Sequence, residues 1–229
     1  MEKKQFELCL NVLRRFHEAG ILQNLILIGS WCIIFYKDYF NSAEIDRIGF
    51  KTRDMDFLVD NPSKIKNEVD VPLLLEDLGF VTHFRGEKGY IRLDHPDLIL
   101  EFLVAEKGKG SNRPFLLPKL KVNAIPLRFL NFLSSNTMKV KVEDFFITLP
   151  HPANFALHKL IIFQRRQKED KAVKDRRMAI SILDMLIEKG EAAYIKKIFL
   201  ASPSKWQSKI ITGLKTGDEK HILEILEAK

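Results

Sequence analysis

Cysteine is scarce in this chain, and so are the residues that break regular structure. Only Cys9 and Cys32 occur among 229 residues. Two cysteines cannot build a disulfide framework, so the expected setting is a reducing cytoplasm. With 11 Gly, 9 Pro and no low-complexity tract, the chain is not a linker or a disordered tail. No stretch approaches the roughly 18 uncharged apolar residues of a membrane span, so no membrane partner is expected. The apolar residues near the N-terminus, Phe6, Leu8, Leu10, Val12, Leu13 and Phe16, are interrupted by charges and read as an amphipathic helix rather than a targeting segment. The six histidines contain neither an HExxH pair nor any other closely spaced pair, which argues against zinc. Gly86-Glu87-Lys88-Gly89 and Gly108-Lys109-Gly110-Ser111 lack the spacing of a nucleotide-binding P-loop and read as flexible loops. Charge of one sign is in modest excess, 37 Lys+Arg against 30 Asp+Glu, too little by itself to establish nucleic-acid binding.

What is present is a core-forming composition, 46% hydrophobic and 10% aromatic, enough for one large domain or two small ones. A helix over residues 2–19 ends at Gly20, a fitting C-terminal cap. Asn24 to Ile28 reads as a short buried strand, followed by Gly29-Ser30 and a second helix from Trp31 to Tyr39. A strand carrying Asp54 to Val59 comes next, then a helix from Val71 to Leu78 capped by Asp70. Strands are expected over 80–84, 90–93 and 98–105, the last two joined by the turn Asp94-His95-Pro96-Asp97. Lys107 to Asn112 reads as a loop. Short β segments near 120–125 and 138–142 flank a short helix at 127–133, and everything after 154 reads as helix. The expectation is an α+β protein: a mixed β-sheet domain with flanking helices over 1–150, then an α-helical domain over 151–229.

Three features of the first half carry chemistry. Gly29-Ser30 lies at a strand-to-helix junction, where glycine allows close approach and a hydroxyl stands beside free N–H groups; Ser30 equally reads as a simple helix cap. Asp54 and Asp56 are two apart in an otherwise apolar strand, so their carboxylates share one face and repel unless a cation intervenes. Mg²⁺, which takes one or two carboxylates plus substrate phosphates, suits that pair. Glu101 stands among Ile99, Leu100, Phe102 and Leu103, a costly place for an acid without a partner. If its strand lies beside the Asp54–Asp56 strand, it completes a three-acid cluster suited to two metal ions. Asp60, Asp94 and Asp97 are alternative third acids.

In this order, strand, Gly29-Ser30, helix, Asp54-Met55-Asp56, then a third acid on a later strand, the chain resembles the polymerase-β-like nucleotidyltransferase superfamily over roughly residues 22–106. Thr52 and Arg53, just before the first aspartate, fit the same pattern. His158-Lys159-Leu160 with Lys174-Asp175 is similar to a subgroup that includes abortive-infection-type toxin nucleotidyltransferases. From the residues alone, Lys159 has Phe155, Ala156, Ile162 and Phe163 around it on its helix, so its ammonium points inward toward a phosphate or a carboxylate, unless only its stem packs. Asp175 pairing with Lys159 or an arginine as a structural ion pair is an equal alternative. The resemblance implies transfer of a nucleotidyl group from a nucleoside triphosphate, ATP among them, to an acceptor hydroxyl on RNA, protein or a small molecule. Asp54, Asp56 and Glu101 would hold two Mg²⁺ ions, and Gly29, Ser30, Lys159, Lys174 and Asp175 would line the nucleotide site. A toxin-like activity and a non-catalytic nucleotide- or nucleic-acid-binding member are the alternatives. The basic stretch Lys159 to Arg177, with eight Lys/Arg and three Asp/Glu, is where an anionic substrate would be drawn, although such runs are usually solvated faces.

Overall fold

The computed structural model describes residues 3–40, 52–106, 108–110 and 113–228. Part of the loop expected over Lys107–Asn112 lies outside the described residues. The chain divides into two compact units, Met1–Phe35 with Gly49–Pro150, and Tyr36–Ile48 with His151–Lys229.

The first unit is a mixed sheet. Its strands are β1 (Ile26–Ile28), β2 (Asp54–Leu58), β3 (Val81–Arg85), β4 (Tyr90–Asp94), β5 (Ile99–Ala105), β6 (Phe115–Leu117), β7 (Val122–Leu127), β8 (Thr137–Val142) and β9 (Phe145–Pro150). The main path runs β3-β4-β5-β2-β1-β9-β8, with β7 paired to β5 and β6 to β7. β5 therefore forks the sheet: on one edge its first residues pair with β4 and its last with β7, and on the other Ile99–Leu103 pair with β2. β2 and β5 run parallel, β1 and β2 antiparallel.

Alternation along β2 and β5 sends side chains to two different faces. Met55, Phe57, Leu100 and Phe102 are fully buried on one face. Helix α1 (Lys3–Glu18) covers that face, with Phe16 edge-on to Phe57 at 5.3 Å and tilted on Phe102 at 6.3 Å. Gln5 ties the start of α1 down by donating to the carbonyls of Thr52 and Asp97. On the other face Ile26, Ile28, Leu58 and Leu103 form a cluster with Leu130 and Leu133 of α5 (Leu130–Ser134). This apolar cap sits over the later residues of β2 and β5. Their earlier residues on the same face are Asp54, Asp56 and Glu101.

Three differences from expectation appear here. The helix read over Trp31–Tyr39 is interrupted: Gly29–Trp31 is a 3₁₀ turn, followed by α2 (Cys32–Phe35) and, after Tyr36, α3 (Lys37–Phe40). Trp31, Cys32 and Tyr36 are all wholly buried. Strand β9, Phe145-Phe146-Ile147-Thr148-Leu149-Pro150, is an addition to the expected strands. Its pairing is non-local: parallel to β1 at Ile26↔Thr148, and a hairpin with β8 through a turn where Glu143 has φ +53°. The helix read over Val71–Leu78 is likewise a single turn, α4 (Val71–Leu74), capped by the Asp70 carboxylate accepting from Leu73 N–H, followed by a 3₁₀ turn ending at Gly79.

The second unit is helical: α6 (Pro152–Ile162), α7 (Glu169–Glu188), α8 (Ala192–Ala201), α9 (Ser204–Lys215) and α10 (Lys220–Glu227). Residues 152–161 of α6 are all buried, as expected of a helix packed on several sides, here by α7, α8 and α9. His151 caps α6 by accepting from Ala153 N–H through Nδ1. Gly213 lets α9 come close, since a Cβ there would lie 2.9 Å from Phe163 and 3.2 Å from the Leu160 carbonyl. Tyr39 is pinned to this unit by its hydroxyl, which lies 2.7 Å from both Glu191 oxygens and 3.1 Å from His151 Nε2, while Lys189 Nζ stands 3.3 Å over its ring.

Candidate functional site

The acids of the first unit come together through strand geometry. Asp54 and Asp56 project from the same face of β2 by their two-residue spacing. Parallel pairing then sets Asp56 directly opposite Glu101 and Asp54 opposite Ile99. Of the alternative third acids, Asp60 follows β2 on the surface, Asp97 lies in the turn before β5, and Asp94 is taken by Arg92. Asp54 is exposed, while Asp56 and Glu101 are half-buried. Thr52 shapes the entry to β2 by accepting from Asp54 N–H at 3.2 Å, and Arg53 donates to the His95 carbonyl at 2.7 Å.

Gly29 adjoins this cluster. Ile28 pairs with Asp56 across the antiparallel β1–β2 ladder, which brings the turn after β1 against the Asp56 carboxylate. Gly29 has φ +74°, and a Cβ on it would lie 2.8 Å from Asp56 Oδ2. Both the backbone conformation and the space beside Asp56 demand glycine. Ser30 follows in the 3₁₀ turn and is half-buried. Cys32, one turn further, is a buried thiol whose Sγ donates to the Leu27 carbonyl, as a structural cysteine should.

Two arginines that sequence reading passed over border the acids. β3 and β4 pair with His83 opposite Arg92, and β4 meets β5 with Asp94 opposite Ile99. Since ladder partners share a face, His83, Arg85, Arg92 and Asp94 stand on the carboxylate face. Arg85 donates to Glu101 Oε1 at 3.0 Å. Arg92 grips Asp94 through two contacts of 2.6 Å. That hydrogen bond holds its guanidinium above its ordinary pKa, and the negative charges of Glu101 and Asp54 add to the effect. The signal was available in the alternation of Val81-Thr82-His83-Phe84-Arg85 and Tyr90-Ile91-Arg92-Leu93-Asp94, which puts the charged residues on one face.

The donor chemistry fits Mg²⁺ in part. Asp54 and Asp56 offer hard carboxylate oxygens, and Gly29 lets the turn after β1 lie directly against the Asp56 carboxylate. Among the described residues, however, no three His, Cys, Asp or Glu side chains are gathered into a ready cation cage. The unit thus supplies the one or two carboxylates that Mg²⁺ takes when substrate oxygens complete its shell, with Glu101 engaged elsewhere.

In the second unit Lys159 and Asp175 meet each other. Lys159 Nζ donates to Asp175 Oδ1 at 2.6 Å, and Arg166 Nε donates to Oδ2 at 2.7 Å. Burial pushes the Asp175 carboxyl up, but Lys159 and Arg166 outweigh it and hold it below the usual range. The structural ion pair, one of the two alternatives for these residues, is therefore formed. Lys174 is half-buried on α7. Beside the pair, His158 is buried, its Nε2 has no hydrogen-bond partner among the described residues, and burial, reinforced by Lys159, lowers its pKa to about 3.

This histidine has a measurable consequence. The unfolded chain protonates it near pH 6.5, the folded chain only near pH 3, so between those values the unfolded state binds more protons and stability falls as pH falls. One such group contributes a slope of about 1.4 kcal/mol per pH unit. Urea unfolding of wild type and His158→Met across pH 4 to 6.5 should show the variant's slope reduced by about that amount; identical slopes would mean that His158 is not held neutral.

A nucleotidyltransferase family model matches residues 7–198. Comparison with curated proteins finds no match. Among solved structures, an antigenic nucleotidyltransferase-like protein from Paracoccidioides brasiliensis is 16% identical with a TM-score of 0.50, covering 97% of this chain and 93% of that one. The antibiotic-resistance factor ANT(2'')-Ia is 14% identical with a TM-score of 0.48, covering 96% and 100%. No helix among the described residues is long and apolar enough to cross a membrane.

Proposed function

The chain belongs to the nucleotidyltransferase family, and on that footing we propose that it moves a nucleotidyl group from a nucleoside triphosphate to an acceptor hydroxyl with the help of Mg²⁺. Asp54 and Asp56 are the residues that would hold the metal, with Glu101 joining them as further ligand and as base toward the acceptor. Gly29 and Ser30 would receive the phosphates, since the glycine leaves room for close approach and the serine adds a hydroxyl donor. The bound ions would supply positive charge to the triphosphate and to the developing oxyanions. The protein's own part is positional: the β2–β5 register aligns the acids, and the turn after β1 sets the phosphate-facing backbone beside them.

The observation that carries this reading is the pairing of Asp56 with Glu101 on the face that also bears Asp54, at the edge of Gly29. The site so defined lies wholly within the first unit. Lys159 and Asp175 are accounted for by their mutual ion pair, and they and Lys174 are not needed for the proposal.

The test is transfer of label from α-³²P NTPs to total RNA, to protein and to small hydroxyl compounds, with Mg²⁺ or with EDTA. Label should appear in one acceptor class with Mg²⁺ and vanish with EDTA. Tight Mg²⁺-dependent NTP binding with no transfer to any class would replace the enzyme reading with that of a nucleotide-binding module.

A further inference from the structure

The acids of the carboxylate face are not equivalent. Asp54 is exposed to water, but the Glu101 side chain is only 14% exposed and is flanked along its strand by buried Leu100 and Phe102. An ionised acid so enclosed requires a counter-charge. It has one in Arg85, whose Nη1 donates to Oε1 at 3.0 Å. The partners differ sharply in their own surroundings, because the Arg85 side chain is 61% exposed. Its strand β3 is exposed at every residue, and the turn that follows contains Gly86 and Gly89. The carboxylate thus needs a cation, while the cation it has is largely hydrated and can leave at little cost. Arg92 is different: its side chain is less exposed, and it is held by Asp94 through a hydrogen bond of 2.6 Å, which charge assistance strengthens.

We propose that Arg85 is a displaceable counter-ion, which neutralises Glu101 in the metal-free protein and yields that carboxylate when a divalent cation is taken up by Asp54, Asp56 and Glu101. The inference rests on the metal reading above and deepens it, making Arg85 a positioning residue that sets metal affinity. It also accounts for the lack of a ready three-acid cage among the described residues: one of the three acids is spoken for. Because the same carboxylate serves either partner, apparent metal affinity is reduced by the population in which Arg85 holds it. For a pair with one exposed member the reduction is on the order of two- to sixfold.

The experiment is Mn²⁺ binding in the absence of nucleotide, followed by electron paramagnetic resonance of free Mn²⁺, on wild type, Arg85→Gln, Arg85→Lys and Asp56→Asn. Arg85→Gln should bind Mn²⁺ about two- to sixfold more tightly than wild type. Arg85→Lys keeps the counter-charge and should stay near wild type, which a purely structural role for the arginine would not predict. Asp56→Asn should lose binding. If Arg85→Gln binds no more tightly than wild type while Asp56→Asn loses binding, the counter-ion proposal is overturned and the metal reading stands. If wild type fails to bind Mn²⁺ without nucleotide, the counter-ion proposal is overturned; if Asp56→Asn binds it as well as wild type does, the metal reading falls with it.

Discussion

Asp56→Asn is expected to reduce nucleotidyl transfer by about 10²–10³-fold while leaving the fold intact. The substitution keeps the shape of the side chain and removes one negative charge. A metal ligand at this position contributes through charge at the transferring phosphoryl group, worth several kcal/mol, and each 1.4 kcal/mol is about tenfold in rate. Stability should move the other way. Asp56 shares a face with Asp54 and lies opposite Glu101, so removing its charge relieves repulsion among like charges. The expected signature is a large loss of transfer with an unchanged or slightly raised melting temperature. A variant that transfers at the wild-type rate would remove Asp56 from the metal site. A variant that loses activity only because it melts early would show the residue to be structural.

Asp175→Ala should be the most destabilising polar substitution in the helical unit, costing about 3–5 kcal/mol. Asp175 is 10% exposed and Lys159 6%, and the carboxylate accepts from both Lys159 and Arg166. Arg166 is 41% exposed and regains water when its partner is lost. Lys159 does not: it stands 5.0 Å from the Phe155 ring, which cannot replace a carboxylate. The damage therefore comes from stranding a buried ammonium, and a double substitution should reveal this. Lys159→Met with Asp175→Leu removes both charges and should recover much of the loss in urea unfolding. Additive losses in the double variant would mean that the two residues do not act as a pair. The pair also has a pH signature. Because the Asp175 carboxyl is held below its ordinary range, its contribution is present above the unfolded pKa near 4 and is lost as pH falls through the folded value. That window overlaps only the acid end of the one in which His158 acts.

These residues show how far the sequence reaches. The two-residue spacing of Asp54 and Asp56 is a local property. Any strand containing them presents both on one face, so their partnership was legible before any fold was known. The same holds for α1, whose charged and apolar residues alternate with helical period, and for Asp70, whose side chain needs only the next turn of chain to cap. Gly29 was legible as a place of close approach, although not which atom approaches it.

Tertiary structure decided everything that depends on pairing between distant segments. Whether Glu101, Asp94 or Asp97 joins the aspartates is a matter of strand register. Backbone hydrogen bonds, which are nearly indifferent to side-chain identity, allow several registers, and the burial of Phe57 and Phe102 beneath Phe16 favours the one that sets Glu101 opposite Asp56. The partner of Glu101 comes from a different hairpin, so Arg85 could be placed on a face but not assigned to an acid. Lys159 could be recognised as a cation aimed inward, yet a carboxylate and a phosphate satisfy an ammonium equally well. Only the packing of α7 on α6 supplied the carboxylate. Local spacing set which chemical groups share a face; long-range packing chose their partners.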